Sequence, residues 1–213
     1  MRLGAVERQP AIVGRRQAIA HTVRAIDRAA PTEAQPDAAE GDPGGGALFW
    51  KARGRAALAH DLEDHKLDTT PRIRDWLERI GVETSAVDSV YEICSSVSFK
   101  GALVPDAMPS LEGRCVQDAD RLDAIGAIGI ARTFAFGGSR GRALYDPSDA
   151  GTLHDSFEAY KSKSTGSLNH FFEKLLLLKD RMHTQSALRI AEERHAYLEG
   201  FVQRFLSEWN ALD

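Results

Sequence analysis

The stretch Val116–Arg132, VQDADRLDAIGAIGIAR, leaves this chain little freedom. No proline interrupts it, and Leu122, Ile125, Ile128, Ile130 and Phe134 recur close to the three- and four-residue spacing of one helix face. Continuous helix is therefore expected. Gly126 and Gly129 would each cost roughly 1 kcal/mol against alanine in a helix interior. Two such glycines suggest a second helix packed close against this one. On such a helix Asp120, Asp123 and Ala127 share a face, since residues three and four apart are neighbours. Asp118 suits an N-terminal cap, where carboxylates are favoured. Asp120 is then carried inward and wants a cation.

The remainder of the chain reads as helices joined by polar loops. Residues 11–30 form an amphipathic pattern, with Ile12, Val13, Ile19, Val23 and Ile26 against Arg15, Arg16, Arg24 and Arg28, and with His21 among them. Pro31–Gly46 (PTEAQPDAAEGDPGGG) is too polar and too rich in Pro and Gly to bury a core. The expected division is a divergent N-terminal part, 1–46, and a helical core, 47–213. Further helices are expected over 47–62, Ile73–Ile80 closed by Gly81, and Ser85–Cys94 with Ser85 as cap and Asp88 completing a capping box. Ser95–Gly101 (SSVSFKG) is either extended or the ragged end of that helix. Gly137–Asp149 is a second polar segment, and Ser186–Trp209 is a last long helix. The fold class is all-α, a single-domain helical bundle. At 213 residues and 43% hydrophobic, the chain is ordinary for one such domain.

Charge and composition exclude several roles. The formal charge of −4 offers no basic field for nucleic acid or an anionic membrane. No apolar run approaches the roughly 18 residues of a membrane span. No continuous apolar h-region opens the chain, so the expected compartment is the cytoplasm. Cys94 and Cys115 are expected as buried, reduced thiols.

His60–Asp61 ends a small-residue apolar segment, RAALAHD, and is followed by Asp64 and Lys66. An imidazole and a carboxylate drawn inward need a cation or a network to satisfy them. Three further stretches accompany H-D-x-x-D-x-K: S-F-K-G at Ser98–Gly101, the DAD helix, and the C-terminal SLNHFFEKLLLLKDRMHT and AEERHAYLEGF. Together they resemble the HD-domain superfamily of metal-dependent phosphohydrolases, in its bacterial YedJ/YpgQ-like branch, from about Ala56 to the C-terminus. The resemblance implies an HD-domain bundle with His60, Asp61 and Asp120 as metal ligands and Asp118 as a cap or supporting group. It also implies an early histidine followed three residues later by arginine, which His21 and Arg24 match. His21 precedes His60 by 39 residues, further than is usual in the family. The 31–46 segment can absorb the excess, since closure entropy grows slowly with loop length. The alternative is a plain surface histidine in a site that has lost a ligand.

Two imidazoles and two carboxylates suit Mn, Mg, Fe, Co or Ni without separating them, and leave positions for water and a phosphate oxygen. Asp64, one turn beyond the pair, is the candidate to orient or deprotonate the attacking water. Lys66, Lys100 and Arg121 are candidates to neutralise phosphate, with Lys174 and Lys179 behind them. The expected substrate is a small phosphorylated molecule, a nucleotide by resemblance and a nucleoside triphosphate by the number of cations, cleaved to monophosphate and pyrophosphate. Neither a nucleic acid polymer nor a membrane is an expected partner, and a homodimer is compatible with the sequence. The rival readings are a phosphomonoesterase, a cyclic-nucleotide phosphodiesterase, and a nucleotide-binding protein that has lost turnover. Gly137–Gly141 (GGSRG) resembles a phosphate-cradling loop but follows a helix instead of preceding one.

Overall fold

The computed structural model describes residues 72–148 and 166–212, and every described element is helical. In chain order these are α1 (Arg72–Arg79), α2 (Thr84–Ser96), α3 (Leu111–Asp123), α4 (Gly126–Ser139), α5 (Asn169–Glu173) and α6 (Gln185–Trp209). Two short 3₁₀ turns, Leu175–Leu177 and Lys179–Arg181, lie between α5 and α6. The expectations for 11–30, 31–46 and 47–62, and the division at residue 46, lie outside the described residues.

The described residues group into two compact units. The first takes in 72–98 and Ala107–Asp120. Its core is Ile73 and Leu77 of α1, Val87, Val90, Ile93 and Cys94 of α2, then Val97, Met108 and Val116. Helix α1 ends as expected. Gly81 has φ +75°, its N–H donates to the Glu78 carbonyl at 3.0 Å, and the Val82 N–H reaches back to Leu77 at 3.0 Å. This pair of bonds satisfies two terminal carbonyls in a Schellman motif. Helix α2 starts at Thr84 without the expected capping box, because the Ser85 hydroxyl donates to the Glu83 carboxylate at 2.8 Å and caps nothing. At its other end, buried Gln117 donates from Nε2 to the carbonyls of Ser96 and Val97, both at 3.3 Å. Those carbonyls would otherwise lack partners at the helix terminus.

Helix α3 begins five residues before the stretch that announced it. Ser110 is its start, with its hydroxyl accepting from the Gly113 N–H at 3.2 Å and its carbonyl from the Arg114 N–H at 3.0 Å. Asp118 is therefore mid-helix and wholly buried, not a cap.

The second unit comprises Phe99–Asp106 and the residues from Arg121 onward. Here the expectation of one helix through Arg132 fails. The chain leaves α3 at Asp123, Ile125 is extended (φ −118°, ψ 167°), and Gly126 restarts the helix at φ +77°. Only glycine takes that left-handed conformation without penalty. Gly129 is required for a nearer reason than a second helix: the Ala124 carbonyl occupies the place a Cβ would take. The second helix touches Gly126 instead, where a Cβ would lie 3.1 Å from Cγ of Arg194 on α6. Past the break Ile128 is left at 64% exposure, while Leu122 and Ile125 stay in the core.

Helix α6 packs along α4, and its buried Ala187, Ala191, His195, Leu198 and Val202 are spaced to share one face. Thr184 caps it, accepting from the Ala187 N–H at 3.2 Å. From Phe201 onward the contact turns aromatic: Phe134, Phe171, Phe201, Phe205, Tyr145 and Trp209 meet in stacked, tilted and edge-on pairs at centroid distances of 5.5–6.3 Å. The leucine run is core at Leu175 and Leu178.

Candidate active site

Of the residues the sequence points to, His21, His60, Asp61, Asp64 and Lys66 lie outside the described residues. Asp120, Lys100 and Arg121 lie within them. Asp118 and Asp120 are two positions apart on α3, so their side chains leave the helix about 200° from one another. Asp118, expected as a cap, is wholly buried, whereas Asp120, expected to be carried inward, is half-buried. Among the described residues no group of three or more His, Cys, Asp or Glu side chains stands ready to hold a metal.

The last turn of α3 is fixed from two sides within the second unit. Asp123 is buried and ion-paired with Arg132 of α4, which also donates to the Asp123 carbonyl at 3.3 Å. Arg194 of α6 donates from Nη1 to the Leu122 carbonyl at 2.5 Å. Burial lowers the pKa of that guanidinium from its ordinary value, without threatening its charge. A cation at the negative end of the helix dipole is favourable.

Arg121 is almost entirely buried. Its guanidinium pairs with Asp106 at 2.7 Å, donates to the Arg181 carbonyl, and lies 3.2 Å from Nε2 of His183. Expected against a phosphate, it is engaged with the protein. Arg181, which sequence reasoning passed over, joins the same group. It donates to the Ala102 carbonyl, stands 3.9 Å from Asp106, and lies over the ring of Phe99 at 5.1 Å. Lys174 lies 5.3 Å from the centroid of the same ring. Position within DRMHT was the one available signal for Arg181, and it does not distinguish an anchor from a solvated arginine. Lys100 follows Phe99 directly and is exposed.

The GGSRG stretch is no phosphate cradle. Gly137 and Gly138 belong to the last turn of α4, and Gly141 (φ +67°) closes it, its N–H donating to Gly138 and the Arg142 N–H to Gly137. Beyond it, Asn169 grips the loop with Oδ1 on the Asp146 N–H and Nδ2 on the Asp146 carbonyl, each at 3.0 Å. Cys94 and Cys115 are both buried, as expected.

The chain is 42% identical over 165 residues to the Bacillus subtilis protein YpgQ, covering 74% of this chain and 72% of YpgQ. Among solved structures, an HD-superfamily hydrolase from Bacillus thuringiensis superposes with TM-score 0.55 and 34% identity, covering 95% of this chain and 98% of that one. The chain belongs to the HD-domain hydrolase superfamily. Within it the protein is YpgQ-like. A Lactobacillus plantarum structure shares its fold with TM-score 0.77 and 32% identity, over 93% of this chain and 87% of the other. The crystal structure of B. subtilis YpgQ in complex with ADP superposes with TM-score 0.64 and 30% identity, over 93% and 90%. No family model matches the chain. This HD-domain chain is a hydrolase with an all-helical fold, and none of its described helices is long and apolar enough to cross a membrane.

Proposed function

We propose that this HD-domain protein is a metal-dependent phosphohydrolase that converts a nucleoside triphosphate and water to the monophosphate and pyrophosphate. The observation that carries the nucleotide is the ADP bound by YpgQ. The ligand set proposed is His21, His60, Asp61 and Asp120, and the half-buried Asp120 on α3 fits it. When bound there, a divalent metal supplies Lewis-acid polarisation of a phosphoryl oxygen and a nucleophile at neutral pH.

The protein's own part is positioning and charge. Asp64 orients the water and takes its proton as oxygen attacks the α-phosphorus, and the bond to the bridging oxygen of the departing pyrophosphate breaks. Lys66 and Lys100 neutralise phosphate oxygens. More than one cation suits a polyphosphate, since each added phosphate brings charge that needs a partner. Arg121, held by Asp106 and the carbonyl of Arg181, is not assigned a phosphate in this reading.

The test is product identity. Mn²⁺-loaded protein, offered a nucleotide panel with phosphate and pyrophosphate read separately, should release pyrophosphate from triphosphates. Orthophosphate from monophosphates, with triphosphates untouched, would replace this reading with a phosphomonoesterase. Nucleotide binding without turnover would leave a binding protein.

A further inference from the structure

The segment Phe99–Asp106 has no regular secondary structure, yet it is held at three points, each by Arg181 together with a second cation or alone. The Phe99 ring is buried, with the Lys174 ammonium and the Arg181 guanidinium each over it. The Ala102 carbonyl accepts from Arg181. The Asp106 carboxylate pairs with Arg121 at 2.7 Å and lies 3.9 Å from Arg181. Arg121 in turn donates to the Arg181 carbonyl, so the two arginines are tied to one another as well as to the segment. Between the first two anchors lie exposed Lys100 and buried Gly101, the latter at φ +139°. A loop this short, pinned on both sides of one lysine, fixes the direction from which that ammonium leaves the backbone.

We infer that Arg181 and Asp106 are positioning residues that act on the hydrolytic reaction through Lys100, by clamping the Phe99–Asp106 segment. The inference rests on the reading above, in which Lys100 meets substrate phosphate. Neither residue touches the substrate. A flexible lysine loses conformational freedom each time it engages a phosphate, and a rigid backbone beneath it reduces that cost and fixes the geometry. Loss of the clamp should therefore weaken substrate engagement through Lys100 alone.

The experiment is a kinetic cycle on metal-loaded full-length protein with a nucleoside triphosphate, comparing Lys100→Ala, Asp106→Ala, Arg181→Ala and the doubles with Lys100→Ala. Asp106→Ala and Arg181→Ala should each raise KM about tenfold with a smaller change in kcat, in keeping with one charge-assisted contact weakened. In the Lys100→Ala background neither should have a further effect. Hydrogen exchange over 99–106 should speed up in the two clamp variants and stay unchanged in Lys100→Ala. Arg181→Lys, which keeps the charge over Phe99 but not the guanidinium fork, replaces any clamp variant that fails to fold and should fall between wild type and Arg181→Ala. If each clamp substitution costs the same factor with and without Lys100, or exchange over the segment is unaltered, the inference is wrong while the proposed reaction stands. A wild-type protein that hydrolyses no triphosphate, or a fully active Lys100→Ala, overturns the reading beneath it and the inference with it.

Discussion

Asp123 and Arg132 show what one buried carboxylate demands. Asp123 sits in the interior at the end of α3, and Arg132, more than a third exposed, pairs with it from α4. Removing the arginine leaves a desolvated charge without its counter-ion, a costlier change than losing a surface ion pair. Arg132→Ala should lower stability by about 1–2 kcal/mol in denaturant titrations, since water can reach the vacated side. Asp123→Asn in that background should recover part of the loss, because the buried group is then neutral. Asp120 makes a different demand. Under the proposed ligand set, elemental analysis of Asp120→Ala should show metal lost from a folded protein, and Asp118→Ala should instead lower stability while retaining metal. The reverse pattern would exchange their roles. Lys100→Ala should reduce kcat/KM by roughly 10- to 100-fold with metal content unchanged, the value of one charge-assisted contact to phosphate.

Among the elements, three glycines separate backbone need from packing need. Gly81 and Gly126 both have positive φ, but a Cβ at Gly81 meets nothing within 4 Å, whereas at Gly126 it meets Arg194 Cγ at 3.1 Å. Alanine at Gly81 should cost about 1 kcal/mol, the penalty of the left-handed conformation alone. Alanine at Gly126 should cost more, because Arg194 must move off the Leu122 carbonyl it holds. Gly200 lies inside α6 with ordinary helical φ and open space around it, so Gly200→Ala should stabilise by up to about 1 kcal/mol. Thermal or denaturant midpoints that rank the three otherwise would contradict this account. The same glycines explain why the break after α3 was not legible in the sequence. Apolar spacing continues through Ile125 and Ile128, and a glycine at a helix junction reads the same as one tolerated within a helix.

At the scale of the whole molecule, helix content, the extent of α1, α2 and α6, the buried thiols and the family motifs were all legible from the chain. Each depends on local periodicity, on a cap a few residues away, or on a contiguous motif. Gly81 closes α1 because its φ and the two returning N–H bonds are properties of six neighbouring residues. Three features depended on residues far apart. Arg194 reaches the Leu122 carbonyl across 72 positions, Arg181 reaches Ala102 across 79, and Arg121 meets His183 across 62. An arginine's charge is visible in a sequence, but whether it faces solvent, a phosphate or a buried carbonyl is set by which helix packs beside it. The sequence by itself therefore determined that the chain is helical, that Asp118 and Asp120 share one helix, and which motifs accompany them. Only the tertiary structure decided that this helix runs from Leu111 to Asp123, that Asp118 is wholly buried while Asp120 is half-buried, and that Arg121 is engaged by Asp106. The physical reason is that burial and charge pairing are properties of the packed neighbourhood, whereas helix periodicity is a property of the chain.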